Sequence, residues 1–215
     1  MRRAIVFANG ELSEPDLIAG RINADDLLIA ADGGARHCRA LGRLPQHVIG
    51  DFDSLPAADQ AALQTAGVRL EQHRAEKDET DLELALLAAR RAGAGLIAVV
   101  GALGGRLDMA LANVLLLAHP ALSGVRVELW HGAQTAWLIR PPGETVQGRA
   151  GDTFSLIPLD GAAHGVSLAG LRYPLADETL PAGPARGVSN TFTGPEARVS
   201  LRAGCLLAVH TPGHA

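Results

Sequence analysis

Leu27-Leu28-Ile29-Ala30-Ala31-Asp32-Gly33-Gly34 is the stretch that decides the fold. An unbroken apolar run of this length fits a strand buried on both faces, as strands of parallel sheets are. It stops at an acid and two glycines, and a helical pattern, Gly34–Leu41, begins there. The same order recurs through the first half of the chain. Arg3–Ala8, His47–Ile49 and Leu96–Val100 read as further buried strands, and Ala57–Thr65, Thr80–Ala92 and Leu107–Ala118 as helices. In Thr80–Ala92, Leu82, Ala85, Leu86 and Ala89 share one face, and Glu83 stands at capping-box distance from Thr80. This alternation predicts an α/β domain with a mainly parallel, doubly wound sheet.

From about Val125 the texture changes. Val125–Trp130, Thr135–Ile139, Thr153–Ile157, Gly165–Leu168, Ala197–Leu201 and Leu206–Val209 are short strands separated by turns such as Pro141-Pro142-Gly143 and Asp160-Gly161. They predict an all-β sandwich or barrel. The expected boundary divides 1–140 from 141–215, with Val125–Ile139 open to either half.

Composition narrows the function classes. The 215 residues are 47% hydrophobic, enough for a substantial core. With 19 basic and 23 acidic residues well mixed and only 3% aromatics, the chain lacks a basic nucleic-acid surface and base-stacking platforms. Cys38 and Cys205 are far apart and fit a reducing compartment without disulfides. Asn9-Gly10-Glu11 cuts the N-terminal apolar run short of a signal peptide, and Leu111–Ala118 is too short to span a bilayer. A cytoplasmic protein without membrane or nucleic-acid partners is expected.

Four acidic tracts carry the chemistry: Ala31-Asp32-Gly33-Gly34, Gly50-Asp51-Phe52-Asp53-Ser54, Asp78-Glu79-Thr80-Asp81 and Gly104-Gly105-Arg106-Leu107-Asp108. Each sits at a strand-to-helix junction, so all four should meet at the carboxyl edge of one sheet. Oxygen-only clusters among glycine-rich turns point to Mg²⁺ and a polyphosphate. With extended backbone, Asp51 and Asp53 would face one metal while Phe52 turns inward; an Asp-rich helix start is the plainer alternative. Asp32-Gly33-Gly34 would let a phosphate or ribose approach the backbone, although it is also a common turn. Asp78 and Asp81 flank a helix start, where first-turn acids are favourable in any case. Lys77 is a candidate phosphate partner or a solvated residue. Arg106 offers a planar fork for phosphate and Asp108 an acceptor for a hydroxyl, or the two form a surface pair. Asn113 is either a buried hydrogen-bonding residue or one that orients a neighbour. The eight histidines, among them His214, show no metal-ligand spacing, and no Walker motif occurs.

Taken in order, these motifs resemble the thiamine pyrophosphokinase family. The resemblance runs through Ala31-Asp32-Gly33-Gly34-Ala35, Pro45, Ile49-Gly50-Asp51-Phe52-Asp53-Ser54-Leu55, Lys77-Asp78-Glu79-Thr80-Asp81 and Gly104–Asp108 with Leu111-Ala112-Asn113. In the second half, Gly170-Leu171-Arg172-Tyr173-Pro174-Leu175 and Gly187-Val188-Ser189-Asn190 look like the family's thiamine-binding strand and turn. It implies an N-terminal α/β domain for ATP and Mg²⁺, a C-terminal β-sandwich for thiamine, and a homodimer with active sites at the subunit interface. By this resemblance Asp51, Asp53 and Asp81 are the metal acids, and Arg106 with Asp108 joins them as catalytic residues. Asp32, Gly33, Gly34, Lys77, Asp78, Thr80 and Arg106 would bind the nucleotide. Asp108, Asn113, Tyr173, Ser189 and Asn190 would bind thiamine. Met109 departs from the pattern, because bacterial members commonly have His there.

The expected reaction is attack of the thiamine hydroxyl on the β-phosphorus of ATP, releasing AMP. Three competitors remain open on sequence. They are pyrophosphate transfer to another alcohol such as a hydroxymethylpterin, a phosphohydrolase with Asp51 as nucleophile, and a non-catalytic nucleotide or thiamine sensor.

Overall fold

A computed structural model describes residues 1–53 and 55–213; Ser54 and His214, named above, lie outside the described residues. The chain forms two compact units, Met1–Gly132 and Ala133–Ala215. The sequence-based division was placed at 140/141.

In the first unit, six strands pair in parallel in the order β6-β5-β1-β2-β3-β4. They are β1 (Arg2–Phe7), β2 (Leu27–Ala31), β3 (His47–Gly50), β4 (Arg69–Gln72), β5 (Ala94–Val100) and β6 (Arg126–His131). The helices are α1 (Pro15–Arg21), α2 (Ala35–Ala40), α3 (Ala57–Thr65), α4 (Asp81–Arg91) and α5 (Leu107–Leu115). Buried strands without alternation are what two covered faces require, and Ala4 to Phe7 are all fully buried. Ile5, Phe7, Leu28, Ala30, Ala98 and Val100 share one cluster with Ile18 of α1 and Ala35 and Cys38 of α2. The leucines and alanines of α4 lie outside that cluster, and α4 packs across β1, β2, β3 and β5, which covers the other face. Thr80 caps α4 as its spacing predicts, accepting from the Glu83 N–H at 3.2 Å.

The connections run from β1 outward to β4, then return past β1 to β5 and on to β6. Their direction therefore reverses between β1 and β5. Open α/β sheets receive ligands outside the carboxyl ends of the strands at such a point.

The second unit is all antiparallel. One sheet contains β7 (Gln134–Ile139), β14 (Leu206–Thr211), β9 (Thr153–Pro158) and β12 (Asn190–Thr191). The other runs β11 (Leu175–Leu180), β10 (Ala163–Ala169), β13 (Glu196–Ser200) and β8 (Gly143–Gln147). Trp137, Phe154, Leu156 and Leu206 from the first sheet meet Val146, Val166, Leu168 and Val199 from the second in one core, with Phe192 between them. This is a sandwich. Asp152 pins its end. The buried carboxylate accepts from the Arg149 N–H at 2.9 Å, the Gly213 N–H at 2.8 Å and His210 Nε2 at 2.9 Å. Burial alone would raise this carboxyl, but the donated hydrogen bonds win and hold it below its ordinary value.

Candidate active site

A cleft of about 730 Å³ opens at the carboxyl edge of the parallel sheet. Residues from all four acidic tracts line it: Asp32 after β2, Asp51 and Asp53 after β3, Thr80 and Asp81 at the start of α4, and Gly104 to Arg106 after β5. The junctions converge as the parallel topology demands.

One carboxylate oxygen from each of Asp32, Asp51 and Asp53 lies within 4.8 Å of the other two. The backbone achieves this differently from the extended path expected. Phe52 is buried with φ of 65°, so the chain makes a left-handed turn there, and the Asp53 N–H donates to Asp51 Oδ1 at 3.1 Å. The buried ring holds a conformation that a bulky residue adopts only under tertiary constraint. Gly50 allows Asp32 to join, because a Cβ at Gly50 would collide with the Asp32 side chain. Asp32 thus stands with the metal-type acids, where sequence placed it with the nucleotide. Asp81 lines the same cleft, and its Oδ1 lies 2.9 Å from Lys77 Nζ. Three oxygen donors of like charge fit a hard divalent cation.

The glycines of Asp32-Gly33-Gly34 have a packing role in the turn. A Cβ at Gly34 would strike the Phe7 carbonyl and one at Gly33 the Asn9 side chain. Both residues are buried and neither lines the cleft. They allow close packing of the turn against the end of β1.

The basic groups divide as well. Arg106 lines the cleft, and Arg106 and Asp108 bind one another through Nη2–Oδ2 at 2.6 Å and Nε–Oδ1 at 3.1 Å, in full solvent. The Arg106 hydrogen bond, with the Met109 N–H, holds the Asp108 carboxyl below its usual range. Lys77 and Asp78 do not line the cleft; Lys77 Nζ is engaged by Asp81 and the Arg74 carbonyl. Asn113 does line it, is buried, and donates Nδ2 to the Ala102 carbonyl at 2.7 Å. Met109 is a further wall residue.

Asn9, Glu11 and Arg36 also line the cleft and were missed by the sequence reading. Arg36 Nη2 donates to the carbonyls of Asn9 and Gly10, at 3.1 Å each, and His37 Nε2 meets the Gly10 carbonyl at 3.0 Å. Burial pushes the His37 pKa down, which leaves a neutral ring donating to that carbonyl. The available signal was position: Asn9-Gly10-Glu11 directly follows β1, where each acidic tract follows its own strand.

In the second unit a shallow pocket of about 400 Å³ is lined by Arg172, Tyr173, Pro174, Arg186 and Asn190, among others. Tyr173 is 59% exposed, with the Arg172 guanidinium 5.7 Å from its ring centroid. The buried Asn190 side chain is spent on its neighbours. Its Oδ1 accepts from the Tyr173 and Thr191 N–H groups and its Nδ2 donates to the Tyr173 carbonyl. Asn190 therefore fixes the Tyr173 turn while also lining the pocket. Ser189, with φ of 59°, is exposed and anchored by its N–H to Ser155 Oγ at 3.0 Å.

Residues 19–129 match the family model for the thiamin pyrophosphokinase catalytic domain, and residues 142–206 match the thiamin pyrophosphokinase vitamin B1 binding domain. The chain belongs to the thiamin pyrophosphokinase family. The two matches fall within the two units, one in each. The thiamine pyrophosphokinase of Bacillus subtilis is 30% identical over 199 residues, covering 92% of each chain. A crystal structure of the thiamine pyrophosphokinase from Bacillus subtilis superposes with a TM-score of 0.88 at 25% identity, covering 98% of this chain and 99% of that one. The thiamin pyrophosphokinase of Geobacillus thermodenitrificans gives 0.84 at 29% identity, covering 98% and 97%.

Proposed function

We propose that this chain transfers diphosphate from ATP to the hydroxyl of thiamine, giving thiamine diphosphate and AMP. The observation that carries the reading is the convergence of Asp32, Asp51 and Asp53 in one cleft with Arg106, the partner of Asp108, in a chain of this family. Like charges this close favour a bound cation, and all donors are oxygen. Asp51, Asp53 and Asp32 would hold Mg²⁺, with Asp81 at the same rim. When bound, Mg²⁺ neutralises polyphosphate charge.

The residues themselves supply positioning and charge, which is most of what such transfers need. Arg106 and Arg36 bring guanidinium groups to the cleft for phosphate oxygens. While Arg106 holds Asp108, that carboxylate is a weak base. Once Arg106 turns to phosphate, Asp108 Oδ2 is released to orient the thiamine hydroxyl and accept its proton, while Oδ1 keeps the Met109 N–H. Thr80, at the N-cap of α4, adds a hydroxyl at the cleft wall. Tyr173 would give its aromatic face to the cationic thiamine, with Asn190 holding Tyr173 in place and Ser189 preceding Asn190 in the chain.

The setting proposed is the cytoplasm; no helix among the described residues is long and apolar enough to cross a membrane, and both cysteines are free and buried. The assembly proposed is a homodimer in which one subunit supplies the ATP half of a site and its partner the thiamine half. Incubation with ATP, Mg²⁺ and thiamine tests the chemistry: AMP is expected, ADP would mean simple phosphorylation, and no product would leave a sensor. Refolding Asp53→Asn and Tyr173→Ala chains together tests the assembly. Activity should return in mixed dimers, and mixed dimers without activity would place each site within one chain.

A further inference from the structure

A separate cavity of about 270 Å³ opens between α2 and α3. Leu44, Pro45, Leu55, Pro56 and Leu63 give it a largely apolar lining. Arg36 and Arg39 of α2 and Arg43 just after that helix also line it, together with Asp59 of α3. Among the described lining residues, three guanidinium groups against one carboxylate leave positive charge in excess. Asp59 already pairs with Arg39 at 2.9 Å. Arg43 makes no side-chain hydrogen bond or ion pair among the described residues, and its charge reaches Asp26 only through space.

Asn9 and Arg36 line both this cavity and the cleft, so the two share a wall. Arg36 Nη2 is held there by the carbonyls of Asn9 and Gly10, 3.1 Å from each. Both acceptors are neutral. An anion on the cavity side offers the same guanidinium a charge-assisted bond, roughly twice as strong. The volume lies just under the range usual for ligand sites, which begins at about 300 Å³, so the occupant is small. Apolar walls suit an apolar body, and the excess of guanidinium groups suits one negative group upon it. Helix α3, one of the walls, has no fully buried residue and is the loosely packed side.

We propose that this cavity is a regulatory site for a small organic anion, an aromatic or branched apolar body carrying one anionic group. The body lies against Leu44, Leu55 and Leu63, and Arg43 binds the anionic group. Arg36 turns from the Asn9 and Gly10 carbonyls to the same group. The cleft then loses a guanidinium that serves phosphate oxygens, and the nucleotide binds less tightly. Only that last step rests on the pyrophosphoryl-transfer reading. The two ligands meet at one shared arginine and occupy separate spaces, so their antagonism is reciprocal and reaches a limit.

The test is titration of the full chain with anilinonaphthalene sulfonate, an apolar ring system with one anionic group, followed by its fluorescence. Wild type should bind it saturably. Arg43→Glu reverses the unpaired charge, and Ala62→Trp fills the cavity from an exposed position on α3. Each should weaken binding about tenfold or more, while AMP formation without the probe stays as in wild type. With probe present, the wild-type KM for ATP should rise about fivefold or more and then level off. Unchanged affinity in both variants would overturn the site. A KM indifferent to bound probe would overturn its regulatory role. A KM that climbs without limit would do so too, because the cavity would then belong to the nucleotide's own site. If wild type forms no AMP at all, the proposed function falls on its own, and the affinities of the two variants alone decide the cavity.

Discussion

Asp152 in the sandwich and the acids of the cleft are the same residue type put to opposite uses. Asp152 is buried and met by three donors from three places in the chain, Arg149, His210 and Gly213. Asp51 and Asp53 are brought instead to each other and to Asp32, by a strained turn at Phe52 and by a glycine that makes room. An acid surrounded by donors stabilises the fold. Acids gathered against one another cost stability, and the fold retains that cost where a ligand relieves it.

The largest expected effect breaks this contrast on the cleft side. Asp53→Asn should lower kcat about a thousandfold or more, because metal charge is worth several kcal/mol in the transition state. Its Tm without Mg²⁺ should stay level or rise as repulsion is removed. Near-wild-type turnover at saturating Mg²⁺ would take Asp53 out of the site.

The converse is expected of Asp152→Ala. Loss of a buried charged acceptor should cost about 2–4 kcal/mol of stability and leave KM for both substrates within about twofold. Thermal unfolding and steady-state kinetics on the same preparation check it, and an unchanged Tm would refute the clamp. Acid sharpens the comparison. Asp152 is held below its ordinary value, so its contribution is complete above the unfolded carboxyl pKa of about 4 and is lost as pH falls through the lower folded value. The Tm gap between wild type and Asp152→Ala should therefore be constant from neutral pH to about 5 and close below about 4. A gap that persists at lower pH would mean that the cost came from lost packing.

The smallest effect is expected at Met109, which lines the cleft but offers only packing. Met109→Leu nearly conserves volume and should keep kcat within about threefold. A hundredfold loss at unchanged stability would reveal a chemical role for the thioether.

The sequence made the architecture legible because strand burial and helix capping are local. Ala57–Thr65 and the Thr80 cap are read directly from spacing, and the apolar strands need no partner to be recognised. What escaped were elements with weak local signals. Helix α1 is seven residues long and opens at Glu14 in a left-handed conformation. Strand β4 is polar and at most half-buried at the sheet edge, without alternation to mark it. Within the site, spacing found the four tracts but not the traffic between them. Asp32 joins Asp51 and Asp53 only through the parallel pairing of β2 with β3. Asn190 turns back to hold Tyr173 across a gap of 17 residues. Those are tertiary facts, and no window of sequence contains them.

The Arg106–Asp108 pair has a consequence for recognition. Both partners are exposed and each occupies the other's bonding edge, so Asp108 acts as a built-in competitor for the guanidinium. An incoming anion must outbid a carboxylate already in position. A polyphosphate with several charged oxygens can do so, whereas a lone carboxylate or monoanion gains almost nothing by the exchange. If Arg106 meets phosphate as proposed, the pair would select ligands by charge density, and added salt should blunt that selection because screening weakens the attraction of the more highly charged newcomer most.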